Sequence, residues 1–310
     1  MKNILNTINS IVLEFITYIN FHSSNLYTSK PLEEIYVNTL KHNKEKNIKK
    51  IKTGYEKLDA LVQGFHSGEL ILIGSRPAMG KTSLLINLSV RLSKTYPVLF
   101  FTYDLSEKLL CSRIISNVLA IDNDEIRNQR LNNLNNSKLI NYFKSIKNFN
   151  IYINSYKYQS INHLKNHCRR MIKKKGIKII FIDSIELVAF MKNSHREDIS
   201  IRQACIELKK IAEELNVCIL ITSQLKNSVE LRGGEKKPTL IDIKQSDLIQ
   251  NNFDKIIFLY RPEYYGFTVN EEGSSILNEI QLLIIKNRIG STGTLNFSFN
   301  NKTSIINEYE

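Results

Sequence analysis

Residues 70–83 constrain the fold of this chain more than any other part of its 310 residues. An apolar run at 70–74 is short enough for a buried strand, and an amphipathic pattern with helical spacing opens at Leu84. Between the two lies a loop that closes on the tripeptide Gly-Lys-Thr. A strand, a loop and a helix in this order are the setting in which a phosphate-binding loop is credible.

The loop is close to the pattern G-x-x-x-x-G-K-[ST], with Ser75 at the first glycine position. Backbone N–H groups and the start of the helix would face phosphates. Lys81 would reach the outer phosphates of a nucleotide, and the Thr82 hydroxyl would ligate Mg²⁺. A chance Gly-Lys-Thr on a surface turn is the alternative, and the flanking strand and helix patterns disfavour it. The predicted nucleotide-binding residues are Ser75, Arg76, Pro77, Ala78, Met79, Gly80, Lys81, Thr82 and Ser83.

Composition indicates a globular chain, since 42% of the residues are hydrophobic and 24% are charged. The net charge of +13 suits a polyanionic partner, although nucleotide bias of the source genome explains a lysine surplus equally well. Four cysteines without a C-x-x-C pair fit a reduced compartment better than a disulfide framework or a zinc site. Residues 4–21 are too polar to span a bilayer, so we expect no membrane association and no secretion.

The chain divides by pattern into three parts. Residues 1–30 hold an amphipathic helix, and residues 31–52 hold a second helix and a lysine-rich connector. From 53 to 310 β-rich runs alternate with helical patterns, which predicts an α/β fold with a mostly parallel sheet covered by helices on both faces. The predicted strands are 70–74, 98–102, 150–153, 178–183, 217–222, 255–260, 281–286 and 294–299, and the last two should form an antiparallel hairpin at the sheet edge. Helical patterns include 81–93, 106–120, 161–175 and 199–215.

Three polar residues follow predicted strands. The apolar run at 178–183 ends in Asp183, whose carboxylate would emerge beside the phosphate-binding loop and hold Mg²⁺. Asp104 follows the strand at 98–102, and Gln224 follows the strand at 217–222. On spacing alone, Asp104 and Gln224 are best interpreted as ordinary polar residues of loops.

The helical pattern at 161–175 has an apolar stripe and a basic face. The pattern is typical of a solvated helix face, and a DNA contact is the alternative. Tyr264 and Tyr265 are candidates for stacking on unpaired bases, although packing within a loop explains them equally well. The basic residues are Lys165, Arg169, Arg170, Lys173, Lys174, Lys175 and Lys178.

Five stretches, in the same order, resemble the RecA-type motor domain of the DnaB-like replicative DNA helicases. They begin with Thr53-Gly54-Tyr55-Glu56-Lys57-Leu58-Asp59 and the loop Arg76-Pro77-Ala78-Met79-Gly80-Lys81-Thr82. They continue with Ile182-Asp183 and Leu187, with residues 208–217 and Ser223-Gln224-Leu225, and with Lys286-Asn287-Arg288-Ile289-Gly290. That family often carries a residue other than glycine where Ser75 stands.

The resemblance implies ATP and Mg²⁺ as ligands, with Lys81 and Thr82 on the phosphates and the ion, and Asp183 on the ion through water. It implies that Gln224 senses the γ-phosphate, and that the water-activating base is Asp104, where the family usually has glutamate. Lys286 and Arg288 are similar to the pair that reaches the nucleotide of a neighbouring subunit. The resemblance therefore implies a homo-oligomer, a hexameric ring.

The resemblance further implies an ATP-dependent DNA helicase that translocates on single-stranded DNA during replication. Lys244, Gln245 and Asp247 stand where the family grips DNA phosphates with an arginine, a glutamate and a glycine. Glu186 stands where glutamine is usual, and we expect the N-terminal collar domain of the family to be absent. Loader and primase partners stay open, and the expected compartment is bacterial cytoplasm or an organelle such as the plastid stroma.

Two other functions compete with the helicase motor. Asp104, Asp247 and the short N-terminal part favour an ATP-binding assembly or loader factor that is derived from the same family and has weak or no unwinding activity. A RecA-like recombination ATPase or a clock-type ATPase is the third hypothesis, and the Lys286–Gly290 stretch argues against it.

Overall fold

The computed structural model describes residues 50–128, 130, 132–145, 150–156, 160–186, 197–243 and 250–309. The predicted helix region at 1–30, and nearly all of the predicted connector at 31–52, lie outside these residues. The helices are α1 Glu56–Val62, α2 Lys81–Ser93, α3 Glu107–Leu119, α4 Asn123–Arg127, α5 Asn133–Ser145, α6 Ile161–Lys175 and α7 Glu197–Leu215. The strands are β1 Leu70–Ser75, β2 Val98–Thr102, β3 Ile151–Asn154, β4 Ile179–Asp183, β5 Cys218–Gln224, β6 Lys255–Tyr260, β7 Glu279–Asn287, β8 Gly293–Asn300 and β9 Ile305–Glu308.

All nine strands of the described part lie in one sheet, in the order β3-β2-β4-β5-β1-β6-β7-β8-β9. Every pairing from β3 to β6 is parallel, and every pairing from β6 to β9 is antiparallel. The predicted mostly parallel sheet and the antiparallel hairpin of β7 and β8 are therefore confirmed. The expected position of that hairpin at the sheet edge is wrong, because β9 pairs with β8 on its outer side.

The eight predicted strands all form, with ends that differ from the prediction by at most two residues. The pattern did not single out β9, α1, α4 or α5. Three of these elements are too short to show a period, and α5 leaves Leu134 and Ile140 exposed. Hydrophobic periodicity identifies elements that bury a face, so elements that bury little escape it.

Alternating residues of the strands supply two cores, one on each face of the sheet. In β1, Leu70 and Leu72 pack on one face, and Ile71 and Ile73 pack on the other. Helices α6 and α7 cover the first face, and α1, α2 and α3 cover the second. The prediction of helices on both faces is confirmed, and burial of both faces explains why these strands are almost continuously apolar.

Local signals fix the ends of the helices. Ser106 and Ser160 accept hydrogen bonds from the backbone N–H groups of Leu109 and His163, which caps α3 and α6. Gly176 ends α6 in the left-handed conformation, with φ of 67°. Among the described helices, none is both long enough and apolar enough to cross a bilayer.

Charged residues are buried where the parallel strands begin, which we call the amino edge of the sheet. Lys255, at the start of β6, is fully buried and forms an ion pair with Glu69, just before β1. Beside it, Asp254 accepts a 2.7 Å hydrogen bond from Lys209 Nζ and one of 2.8 Å from the backbone N–H of Leu70. Each buried charge thus has a partner of opposite sign, as burial requires.

Replacement of Glu69 by alanine should destabilise the fold by about 3–5 kcal/mol, because it leaves the buried Lys255 ammonium without its counter-charge. Urea unfolding measures the change. Glu213→Ala is the control, since Glu213 pairs with Lys209 on the surface and its loss should cost less than about 1 kcal/mol. Equal losses in the two variants would contradict the prediction.

Candidate active site

The loop between β1 and α2 has the backbone of a phosphate-binding loop. Gly80 precedes α2 with φ of 100°, and a Cβ at this position would lie 3.3 Å from the side chain of Ile280. Ala78 also has positive φ, at 61°. Ser75, in contrast, is the last residue of β1 and has an extended backbone, so the first position of the motif does not need glycine here.

Lys81 begins α2, and its side chain lies back along this loop. Its Nζ donates to the carbonyl oxygens of Ser75 and Arg76 at 3.2 and 3.3 Å, and to the Ser75 hydroxyl at 3.2 Å. Burial lowers the pKa of Lys81, and the carboxylates of Asp183, Glu186 and Asp104 oppose this effect. The acceptors of the Lys81 ammonium are therefore all uncharged, and a phosphate bound in this loop would be a stronger hydrogen-bond acceptor than any of them.

Asp183 stands at the end of β4, beside the first turn of α2. Its Oδ2 accepts a 2.6 Å hydrogen bond from the Thr82 hydroxyl, and its Oδ1 accepts one of 2.5 Å from Thr222 on β5. A hydroxyl and a carboxylate at this spacing are oxygen donors of the kind that Mg²⁺ takes together with waters and phosphates. The residues present thus fit the predicted ion.

A cavity of about 440 Å³ opens at the other end of the parallel strands, which we call the carboxyl edge. Asp104, after β2, and Gln224, at the end of β5, both line it. The structure therefore brings these two residues together with Lys81, Thr82 and Asp183. The other predicted nucleotide-binding residues that line the cavity are Pro77, Ala78, Gly80 and Ser83.

Three residues of the predicted loop do not line this cavity. Ser75 and Met79 are buried, Met79 within the core against α2. Arg76 points its guanidinium toward the segment after β5, where it donates to the carbonyl oxygen of Leu225 at 2.8 Å and to Asn227 Oδ1 at 2.7 Å. It also pairs with Glu230 at 2.9 Å. The side chain of Arg76 thus ties the loop to a second element.

Glu186 is a third carboxylate of the cavity. Its Oε1 accepts hydrogen bonds from the Ser223 hydroxyl at 2.9 Å and from the backbone N–H of Gln224 at 2.8 Å. Glu186 thereby fixes the end of β5 from which the Gln224 side chain extends. Sequence reasoning noted Glu186 only as a departure from the family pattern.

Besides Ser184, which follows Asp183 at the end of β4, sequence reasoning missed five other residues that line the cavity. They come from α3, from the start of α4 and from β8 and the turn after it, where no local motif marks them. Arg261 connects the turn after β8 to the phosphate-binding loop, since its Nη1 donates to the carbonyl oxygen of Ala78 at 3.3 Å and to Asn301 Oδ1 at 3.1 Å. These five residues are Arg113, Asn123, Phe299, Asn301 and Ser304.

Lys286 and Arg288 lie at the amino edge, away from the cavity of their own chain. Lys286 Nζ donates to the Gln250 carbonyl oxygen at 2.9 Å, and Arg288 pairs with Asp254 at 3.1 Å. Burial and the neighbouring Arg288 lower the pKa of Lys286. Neither residue can reach a nucleotide bound by this chain. Lys244, Gln245 and Asp247, the predicted DNA contacts, lie outside the described residues.

Comparison with known proteins identifies the family. The family model described as "DnaB-like helicase C terminal domain" matches residues 50–308. The chain belongs to this family. A probable replicative DNA helicase of Trieres chinensis is 32% identical over 254 residues, which cover 80% of this chain and 55% of the relative.

Two solved structures agree with this assignment. An ATPase domain matches with a TM-score of 0.81 and 27% identity, and the match covers 91% of this chain and all of that domain. A DnaB-like replicative helicase, studied with its primase interactions, matches with a TM-score of 0.79 and 26% identity over 98% of this chain and 76% of that one. The RecA-like fold of the DnaB C-terminal domain is therefore confirmed. The chain spans about half of the length of the curated relatives it matches, from 45% to 60% of each.

Proposed function

We propose that this chain is the motor of a ring-forming, ATP-dependent DNA helicase, which translocates on single-stranded DNA during replication. Residues 53–310 would form the motor domain. The observation that carries the proposal is the division of functional groups between two edges of one sheet. The carboxyl edge holds a phosphate-binding loop, a hydroxyl–carboxylate pair and two polar strand ends, whereas the amino edge holds Arg288.

Lys81 would exchange its contacts with Ser75 and Arg76 for the outer phosphates of ATP. The exchange is favourable because phosphate oxygens are charged, whereas the present acceptors are two carbonyls and a hydroxyl. Thr82 and Asp183 would hold Mg²⁺, which supplies positive charge to the transferring phosphoryl group. Asp104 would orient the attacking water and accept its proton, and Gln224 would contact the γ-phosphate.

Arg288 would complete the site of a neighbouring subunit, where it would offset the charge that develops on the transferred phosphoryl group. The amino edge of one subunit would then face the carboxyl edge of the next. Such a head-to-tail contact, repeated from copy to copy, can close into a ring. We therefore propose a homo-hexamer in which Lys244, Gln245 and Asp247 contact single-stranded DNA in the central channel. We place it in bacterial cytoplasm or in an organelle such as the plastid stroma, with a primase among its candidate partners.

The experiment that tests this function is ATP hydrolysis with and without single-stranded DNA, followed by separation of a forked duplex. Stimulated hydrolysis together with strand separation is the expected result. Binding of ATP without turnover, or turnover that DNA does not change, would contradict the proposal. The first of these outcomes is the behaviour expected of an assembly or loader factor.

Replacement of Asp104 by glutamate should raise the turnover of ATP up to about tenfold. Aspartate is one methylene shorter than glutamate, so its carboxylate stands farther from the attacking water, and misplacement on the order of 1 Å is costly in catalysis. Steady-state hydrolysis at saturating ATP measures the change. Asp104→Asn, which removes the base at nearly constant shape, should lower turnover by about 10²-fold or more. A loss of turnover in Asp104→Glu would mean that the cavity is adapted to the shorter side chain.

A further inference from the structure

The positive charge of this chain is concentrated in one segment. Between Ile126 and Ile182 there are 13 lysine and arginine residues and not one aspartate or glutamate. The chain has 43 basic and 30 acidic residues in all, so the rest of it carries 30 of each sign. The whole net charge of +13 therefore lies in this segment.

A bias of the genome toward lysine codons does not explain this distribution. Such a bias adds cations throughout a chain and does not remove acidic residues from one part of it. Outside the segment acidic residues occur about once in eight positions. Their complete absence from the segment is a local property, and a local excess of one sign indicates a partner of the other sign.

The described part of this segment lies at one end of the sheet. It contains α5, β3 and α6, and β3 is the outermost strand at that side of the sheet. Leu164 and Cys168 anchor α6 in the core, Ile161, Met171 and Ile172 pack partly buried beside them, and the opposite face is exposed. The exposed cations of α6 and the turn after it are Arg169, Arg170, Lys173, Lys174, Lys175 and Lys178.

Little of this charge is neutralised within the described residues. Lys165 and Arg169 share the single carboxylate of Glu214, and Lys175 lies 5.3 Å from the centre of the Tyr152 ring. In the parts of the chain that the structure describes, no carboxylate forms an ion pair with the other cations of this face, among them Arg170 and Lys173. The dipole of α6 favours cations in its last turn, but it does not account for Arg170, which lies before that turn.

Three of these cations, Arg169, Arg170 and Lys173, border a groove of about 630 Å³ between α6 and the end of β3. Among the described residues that line it there is no carboxylate, and Tyr156 at one side is 61% exposed. Cations beside an exposed aromatic ring are the combination that binds unpaired nucleic acid, since phosphates pair with the cations and bases stack on the ring. The lining residues are Tyr156, His163, Asn166, Arg169, Arg170 and Lys173.

We propose that this groove, here called the α6 groove, binds single-stranded nucleic acid. Arg170 and Lys173 would contact phosphates, and the ring of Tyr156 would lie against a base. None of the described residues that line this groove also lines the cavity at the carboxyl edge, so the two are separate. This second binding site goes beyond the proposed function, which assigns the contact with single-stranded DNA to residues 244–247.

The test measures binding of a fluorescein-labelled oligothymidylate to the full chain by anisotropy, without nucleotide, at several salt concentrations. The double variant Arg170→Gln with Lys173→Gln should bind about tenfold more weakly near physiological salt. Its plot of log affinity against log salt should be flatter by about 1.4, because each lost phosphate contact removes about 0.7 from the slope for a single strand. Because the assay contains no ATP, its result does not depend on ATP hydrolysis. Failure of this proposal can therefore be distinguished from failure of the proposed function.

The matched control is Lys52→Gln with Lys94→Gln, which removes two exposed charges on the other side of the sheet and should leave affinity and slope unchanged. Tyr156→Ala should weaken binding of the oligothymidylate but not of a duplex of equal length. Unfolding midpoints in urea verify that each variant is folded. Wild-type affinity in the double variant, or an equal loss in the control, would overturn the proposal. So would capture by phosphatidylglycerol vesicles with oligonucleotide binding unchanged in the double variant.

Discussion

Replacement of Lys81 by alanine is expected to lower ATP turnover by about 10²–10³-fold, the cost of losing one well-placed charge donor at a developing anion. The loop before Lys81 has the backbone of a phosphate-binding loop, with positive φ at Ala78 and Gly80. The Lys81 ammonium donates hydrogen bonds to two carbonyl oxygens and a hydroxyl of this loop. Release of phosphate from ATP, with and without single-stranded DNA, measures the loss.

The expected loss concerns catalysis and not folding. Lys81 contributes only weak hydrogen bonds within its own loop, so the unfolding midpoint in urea should change little. Lys94→Ala, which removes an exposed lysine just after the same helix, is the control and should keep full turnover. Wild-type turnover in Lys81→Ala would refute the phosphate-binding role and, with it, the proposed function.

Replacement of Arg288 by alanine should lower turnover by about 10³-fold or more, the usual effect of an arginine finger, although Arg288 is remote from the cavity of its own chain. Arg288 stands at the amino edge beside Asp254, and the cavity lies at the carboxyl edge. Any effect of Arg288 on the phosphates must therefore arise between two subunits. Arg288→Lys, which keeps a charge beside Asp254 but loses the planar fork, should recover folding and little of the activity.

Mixing the two inactive variants distinguishes a role in trans from a structural role. A subunit with Arg288→Ala keeps an intact phosphate-binding loop, and a neighbour with Lys81→Ala keeps an intact Arg288. Where the two meet in the right order, one complete site forms. Mixed assemblies should therefore hydrolyse ATP, and the rate should depend on the ratio of the two variants. If every mixing ratio stays inactive, Arg288 does not serve a neighbouring subunit.

Sequence alone indicated those residues of the cavity that stand at the ends of strands. Lys81, Asp104, Asp183 and Gln224 each follow an apolar run, and parallel strands bring their carboxyl ends to one edge of a sheet. Spacing could not decide whether Asp104 and Gln224 belong to the site, and the resemblance to a family was needed for that. The central strands were predictable for a related reason, since β1, β2, β4, β5 and β6 are buried along almost their whole length and are mostly apolar.

Sequence alone could not predict the contributions from distant parts of the chain. Asn301 and Ser304 reach the cavity because β9 returns beside β8, and Asn123 because α4 packs on α3. Such approaches are set by tertiary packing and leave no local pattern. The motif likewise gave no sign that the guanidinium of Arg76, a residue of the phosphate-binding loop, pairs with Glu230.

The carboxylate of Asp254 has a consequence for how a subunit responds to its neighbours. It holds the backbone N–H of Leu70, where the strand that leads to the phosphate-binding loop begins, and it is balanced by two cations, Lys209 and Arg288. If Arg288 moves toward a phosphate of the next subunit, Lys209 alone remains to offset Asp254. Asp254 would then have one counter-charge instead of two, at the start of the strand that leads to the subunit's own phosphate-binding loop. A nucleotide bound at one site would in this way change the electrostatic environment of the next site.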